Sequence, residues 1–93
     1  ISYKIQKKIR SIVIEHYGGN PPKCACCGMN TIEFLCIDHI NGDGNKHLRE
    51  IGTASLYYWL KKSNFPKDFR VLCYNCNMSL GNYGYCPHRQ LTR

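Results

Sequence analysis

The sequence predicts a single small α+β domain in which two short strands lie between helices. Apolar residues recur at helical spacing near the start of the chain, and two short apolar segments farther along have turn signals beside them. The chain has 93 residues, 43% of them hydrophobic, and at this size a hydrophobic core alone is only marginally stabilising. We therefore expect one domain over residues 1–93, stabilised by something in addition to its core.

A basic amphipathic helix is predicted for residues 1–19. Apolar residues and one histidine recur at helical spacing at Ile5, Ile9, Ile12, Val13 and His16. Basic residues occupy the other faces at Lys4, Lys7, Lys8 and Arg10. The Gly-Gly and Pro-Pro pairs that follow end the pattern. We expect the helix to cover the core with one face, which is a commoner role for such a helix than DNA contact.

The remaining elements follow in the order strand, helix, strand, helix. Residues 33–37 form an apolar strand segment that ends at Asp38 and His39. The Asn-Gly-Asp-Gly-Asn stretch at residues 41–45 predicts a turn and a loop. Residues 53–63 are predicted to form a short helix with Trp59 on its packing face, and residues 69–72 a second strand. A final helix over residues 73–80 is expected to end at Gly81, with residues 82–93 as a tail.

Seven cysteines are a large number for so short a chain. Four of them form two C-x-x-C pairs: Cys24 with Cys27, and Cys73 with Cys76. This spacing lets two thiolates of one tight turn converge on a tetrahedral ion. The odd count and the lack of a secretory signal argue against a disulfide framework and for zinc in a reducing cytoplasm. We therefore predict one structural zinc site on these four residues, within a core that spans residues 23–81.

The other three cysteines have less specific surroundings in the sequence. Cys26 can replace either cysteine of the first pair as a ligand. Cys36 lies in the first strand segment, where a core position is expected. Cys86 and His88 in the tail are suitable metal ligands, but two ligands without partners argue against a second metal site.

The charge balance favours a polyanionic partner. Lys and Arg number 13 against 6 Asp and Glu, which gives a net charge of +7 and a pI near 9.2. Nucleic acid is therefore the first candidate. Excess lysine that only keeps a small domain dissolved is an equally weighted alternative. No apolar run approaches the ~20 residues that a helix needs to cross a bilayer, so no membrane association is predicted.

Asp38 and His39, at the end of the first strand, combine a hard oxygen ligand with an imidazole. A C-x-x-C-G motif precedes them, and Leu-Cys-Tyr-Asn-Cys-Asn at residues 72–77 and Leu-Gly at residues 80–81 follow them. Together these motifs resemble the HNH, or ββα-metal, endonuclease family, and the recombination endonuclease VII branch in particular. The resemblance runs from about residue 23 to about residue 81 and leaves both flanks outside.

This resemblance implies a metal-dependent DNA endonuclease of the ββα-metal fold. His39 would be the general base that accepts a proton from water, and Asp38 and Asn77 would hold one Mg²⁺ or Mn²⁺. The two cysteine pairs would hold the structural zinc. An asparagine amide is a weaker ligand than a carboxylate or an imidazole, so we expect the catalytic cation to bind loosely.

Two positions depart from the usual family pattern. Asn77 stands where many members have the final histidine, as it does in members similar to endonuclease VII. The middle asparagine of the pattern is not in its usual place, and either Asp68 or Asn64 is the candidate for its role.

Several side chains are expected to contact DNA phosphates without reading the base sequence. These are Lys46, His47, Arg49, Lys61, Lys62 and Arg70. A plain exposed loop histidine is an equally good interpretation of His47. We expect low sequence specificity and binding that weakens steeply with salt.

The alternative function is a non-catalytic zinc module that binds nucleic acid or a partner protein, since such a module needs only the cysteines and the charge. The chain starts at Ile1 without a methionine, which is compatible with a piece of a longer protein. Domains of the resembled family occur in phage proteins and in CRISPR effector subunits. Fusion to a larger nucleic-acid-targeting protein in the cytoplasm would fit that setting.

Overall fold

The computed structural model describes residues 3–40 and 56–88. Its elements are α1 (Tyr3–Gly18), a 3₁₀ turn (Ile32–Phe34), β1 (Leu35–His39), α2 (Leu56–Lys62), β2 (Phe69–Cys73) and α3 (Tyr74–Tyr83). The predicted α+β class is thereby confirmed, with one two-stranded sheet and three α-helices in the described residues. Within these ranges no helix combines the length and the apolar character needed to cross a bilayer.

Helix α1 covers the core with one face, as its amphipathic pattern predicts. Val13 and Ile14 are fully buried, and Ile9 and Tyr17 pack beside them, partly buried. Ile5 is 53% exposed, so the buried face begins one turn later than the apolar pattern suggests. The helix packs against α2 and against both strands, and it thereby closes one side of the small sheet.

The two strands pair antiparallel, with Leu35 opposite Cys73 at one end and His39 opposite Phe69 at the other. All five residues of β1 are buried. Asp38 and His39 are therefore the last two residues of a buried strand, rather than the first two after it. Side chains alternate between the faces of a strand, so these two neighbours point to opposite faces of the sheet.

The strand β1 begins at Leu35 and not at residue 33 as predicted, because Ile32–Phe34 form a 3₁₀ turn. Arg10 of α1 donates hydrogen bonds to the carbonyl of Ile32, at 3.3 Å, and to the carbonyl of Leu35. Its guanidinium also lies over the ring of Tyr57 in α2, 5.8 Å from the ring centroid. The Arg10 side chain thus joins α1 to the start of β1 and to α2. It has a structural role and does not simply extend into solvent.

Helix α2 ends with an asparagine in the left-handed conformation. Asn64, at φ +62°, donates its N–H to the Lys61 carbonyl at 3.2 Å, and Phe65 donates to the Leu60 carbonyl at 2.8 Å. This pair of bonds is the Schellman arrangement, in which Asn is tolerated at the left-handed position. Trp59 packs partly buried against the core, as its predicted packing role requires.

Glycines in the left-handed conformation follow the other two helices. Gly19, at φ +97°, and Gly84, at φ +78°, each donate an N–H to the carbonyl four residues earlier at 3.0 Å. The expectation that Gly81 ends α3 is wrong, because the helix continues through it to Tyr83. Gly81 is exposed there, and a helical glycine costs only about 1 kcal/mol relative to alanine.

The core packing predicts a contrast between two isoleucines of α1. Ile14→Ala should lower the free energy of unfolding by about 2–5 kcal/mol, because it leaves a cavity at a fully buried site. Ile5→Ala, at an exposed site of the same helix, should change it by about 0.5 kcal/mol or less. Urea denaturation of the zinc-loaded proteins, followed by circular dichroism, measures both. Equal losses in the two variants would contradict this placement of α1.

Candidate functional site

The two cysteine pairs converge at one end of the sheet. The first pair lies in the loop after α1, and the second spans the junction at which β2 ends and α3 begins. The Ala25 N–H donates to the Val71 carbonyl at 2.9 Å, which docks the first loop against β2. The four sulfur atoms then lie within 4.8 Å of one another. They belong to Cys24, Cys27, Cys73 and Cys76.

The spacing of these sulfurs suits a tetrahedral ion. The Sγ atoms of Cys27 and Cys73 are 3.7 Å apart, and a tetrahedron with Zn–S bonds of about 2.3 Å has edges of about 3.8 Å. All seven cysteines of the chain are free thiols, so a disulfide framework does not compete for these sulfurs. This group of four thiols can hold a metal ion such as zinc.

The hydrogen bonds around Cys24 stabilise a thiolate. Burial by itself raises the pKa of Cys24, but the backbone N–H groups of Cys27, Cys73 and Cys26 outweigh it and lower the pKa to about 7. Burial raises the pKa of Cys76, and the neighbouring thiols add to the rise. The thiols therefore resist ionising together, and a divalent cation would supply the charge that lets them do so.

A second group of donors shares one sulfur with the first. The donor atoms of Cys26, Cys76, Cys86 and His88 also lie within 4.8 Å of one another. The sequence alone offers no partners for Cys86 and His88, and the fold supplies two. Cys26 in the first loop and the Cys-Pro-His motif of the tail can be recognised in the sequence, but only the folded chain brings them together.

Asp38 lies on one face of the sheet in an ion pair. The side chain is 3% exposed and accepts a hydrogen bond from Nε of Arg70 at 2.9 Å. The two residues are direct cross-strand partners, a position at which opposite charges stabilise a sheet. Arg70 was predicted to contact DNA phosphates, and here its guanidinium balances the charge of Asp38.

Asn77, in the first turn of α3, lies on the same face as Asp38. Its Nδ2 donates to Sγ of Cys36 at 3.4 Å, and Cys36 is two residues before Asp38 in β1. Cys36 in turn donates to the Leu72 carbonyl at 3.3 Å. Burial raises the pKa of Cys36 to about 11, so this thiol stays protonated. Cys36 belongs to neither group of metal donors.

His39 lies on the opposite face, among aromatic rings. Its ring meets the ring of Phe69 edge-on, with the centroids 4.9 Å apart, and Phe69 contacts Trp59 in the same way at 6.2 Å. The histidine is 8% exposed. The structure therefore brings Asp38 and His39 to the same end of β1 but to opposite faces of the sheet.

Asp68 and Asn64, the two candidates for the middle position of the family pattern, both make backbone hydrogen bonds in the structure. Asp68, at φ +74°, accepts the Ile40 N–H on its carbonyl at 3.0 Å, directly across the end of β1. Asn64 ends α2, as described above. Lys61 and Lys62, two of the predicted DNA contacts, are exposed in the last turn of α2. The other predicted DNA contacts, Lys46, His47 and Arg49, lie outside the described residues.

Comparison with protein-family models, with curated proteins and with solved structures finds no match for this chain. The relation to the HNH family therefore remains a resemblance of motifs. What the described residues establish is a small α+β fold with a thiol cluster that can hold a metal.

Removal of one thiolate from the four-cysteine group should unfold the domain. Cys73→Ser is expected to lose native circular dichroism and cooperative melting in the presence of zinc. The reason is that metal binding and folding are coupled in small domains, with apparent energies on the order of 10 kcal/mol. Cys36→Ser is the matched control, since it changes a buried cysteine outside both donor groups and should still melt cooperatively. A Cys73→Ser protein that melts like its parent would rule out a structural ion at this position.

Proposed function

We propose that this chain is a metal-dependent DNA endonuclease domain that hydrolyses phosphodiester bonds. His39 is the general base, Asp38 and Asn77 hold one Mg²⁺ or Mn²⁺, and the first group of four cysteines holds structural zinc. One observation carries the proposal beyond the motif resemblance. The second strand of the antiparallel sheet runs directly into α3, so that Asn77, the residue after Cys76, lies on the same face of the sheet as Asp38.

The donor chemistry on this face suits a hard cation. Asn77 directs its amide nitrogen toward Cys36, so the amide oxygen is the atom that would bind. Arg70 holds Oδ2 of Asp38 and thereby orients the carboxylate. Carboxylate and amide oxygens select Mg²⁺ or Mn²⁺ over softer metals. When bound, such an ion stabilises the charge that develops on the leaving 3′ oxygen.

The opposite orientations of Asp38 and His39 suit an in-line displacement. In that reaction the attacking water and the leaving oxygen stand on opposite sides of the phosphorus. A phosphodiester across the end of β1 would meet His39 on one side and the pair Asp38 and Asn77 on the other. Neutral His39 would accept the proton of the water, and its packing against Phe69 holds the imidazole plane in one orientation.

The surface charge supports a DNA substrate. The chain carries a formal net charge of +7, and it remains positive when thiolates bind divalent zinc, because four thiolates and one ion remove only two charges. Lys61 and Lys62 are exposed and available to phosphates. Binding of this kind depends on salt and not on base sequence.

The second candidate is a non-catalytic zinc module that binds nucleic acid or a protein. The burial of the strand-end residues favours it, since Asp38 and His39 are only 3% and 8% exposed. Arg70 and Phe69 give each of them a packing partner. In this reading both side chains stabilise the sheet and take no part in chemistry.

Substitution of His39 separates the two functions. His39→Gln, which keeps a polar side chain of similar size, should lower the single-turnover rate of plasmid cleavage by about 10²–10⁴-fold, as expected for loss of a general base. His16→Ala removes an exposed histidine of α1 whose ring stacks on Phe65, outside the proposed site, and should leave the rate unchanged. Both variants are checked for zinc content and circular dichroism. Cleavage by His39→Gln at the parental rate with Mg²⁺ or Mn²⁺ would contradict the base assignment and favour the binding module.

A second substitution tests the cation ligand. Asn77→Asp places a carboxylate in the first turn of α3 and should lower the Mn²⁺ concentration for half-maximal cleavage by about tenfold, since a charged oxygen binds divalent cations better than an amide. Asn75→Asp adds the same charge at an exposed position of that turn and should have little effect. If both variants shifted the Mn²⁺ requirement equally, Asn77 would act through general electrostatics and not as a ligand.

A further inference from the structure

The sulfur of Cys76 belongs to two groups of metal donors at once. One group consists of Cys24, Cys27, Cys73 and Cys76, and the other of Cys26, Cys76, Cys86 and His88. Together they offer seven donor atoms, whereas a structural zinc ion binds four. One ion therefore leaves three good ligands, close together, without a metal. Two four-coordinate ions use all seven donors if one thiolate is shared.

Of the two distances from His88 to the thiols of the second group, one equals the distance expected around an ion and the other is shorter. Nδ1 of His88 lies 3.5 Å from Sγ of Cys76 and 3.1 Å from Sγ of Cys86. With a Zn–S bond of about 2.3 Å and a Zn–N bond of about 2.0 Å, the edge between sulfur and nitrogen of a tetrahedron is about 3.5 Å. The imidazole of His88 thus directs a ring nitrogen, and not a ring carbon, toward the thiols of Cys76 and Cys86.

The path of the tail brings these donors together. The left-handed Gly84 ends α3, and two residues later Cys86 is fully buried, 0% exposed. Cys26 is buried as well, although Cys27, its neighbour in the first loop, is exposed. The sulfur atoms of Cys26 and Cys86 lie within 4.8 Å of each other, so the first loop and the tail meet here.

The charge balance also permits a second ion. Four thiolates around one divalent ion leave a net charge of −2. Adding Cys26 and Cys86 as thiolates together with a second divalent ion and the neutral His88 leaves this net charge unchanged and spreads it over a larger cluster. Binding of the second ion releases two protons to the solvent, one from each added thiol.

We propose that this chain binds two zinc ions in one cluster, bridged by the thiolate of Cys76. The first ion lies on the two C-x-x-C pairs, and the second lies on Cys26, Cys86, His88 and the shared sulfur. The second ion fixes the tail to the first loop and to α3. The second ion involves only the metal cluster, and its presence does not depend on whether the chain is a nuclease.

Metal stoichiometry tests the second site. The parent chain, loaded with excess zinc and desalted, should contain two ions per chain by mass spectrometry of the metal, and Cys86→Ser should contain one. His88→Ala, which removes an exposed side chain, should lose the second ion while keeping the native circular dichroism. Cys36→Ser is the control and should retain two ions. One ion in the parent, or two in Cys86→Ser and in His88→Ala, would overturn the second site.

Nuclear magnetic resonance of the ¹¹³Cd-substituted protein tests the bridge. A shared thiolate couples the two nuclei, so the parent should give two resonances, each split by the other. Only one, unsplit, should remain in His88→Ala. Two resonances without mutual splitting in the parent would mean two separate ions and would overturn the shared role of Cys76. The measurement needs no DNA, so its outcome is distinct from the outcome of the cleavage assays.

Discussion

The fold of this chain depends on the packing of cysteine side chains around Cys76. A two-stranded sheet is marginal by itself, and a domain of this size buries too little apolar surface to be secure without other constraints. The cysteine cluster joins segments that are distant in sequence: the loop after α1, the end of β2, the first turn of α3 and the tail. A metal on these sulfurs would close the loops between them, and longer closed loops restrict the unfolded chain more strongly.

The same cluster positions the candidate catalytic face. Cys73 ends β2, Cys76 lies in the first turn of α3, and Asn77 follows it directly. The contact of Asn77 with Cys36 then relates the helix to β1, and the pair of Arg70 and Asp38 relates β1 to β2. A metal on Cys76 and the proposed cation on Asn77 would thus be mechanically linked, because these two residues are adjacent in α3.

Local patterns in the sequence are sufficient for much of this structure. The amphipathic start of α1 and the C-x-x-C pairs depend on residues close in the chain, and the structure confirms the helix and the convergence of the pairs. The ion pair of Asp38 with Arg70 depends on strand register, which no local pattern specifies. The proximity of Cys86 to Cys26, sixty residues earlier in the chain, also depends on tertiary structure. The tail has no periodic pattern from which its position could be predicted. Gly81 does not mark the end of α3, because a glycine can lie inside a helix as well as after its last turn, and here Gly84 has the second role.

The direct junction of β2 and α3 has a consequence for how such a domain can vary. Successive residues of an α-helix are rotated by about 100°, and no linker separates Cys73 from the helix that starts at Tyr74. Insertion or deletion of a single residue here would turn the thiol of Cys76 away from the cysteine cluster and the amide of Asn77 away from Cys36. The length of this junction is therefore fixed by the fold. Single substitutions can change its side chains, but an insertion or a deletion would disrupt the domain.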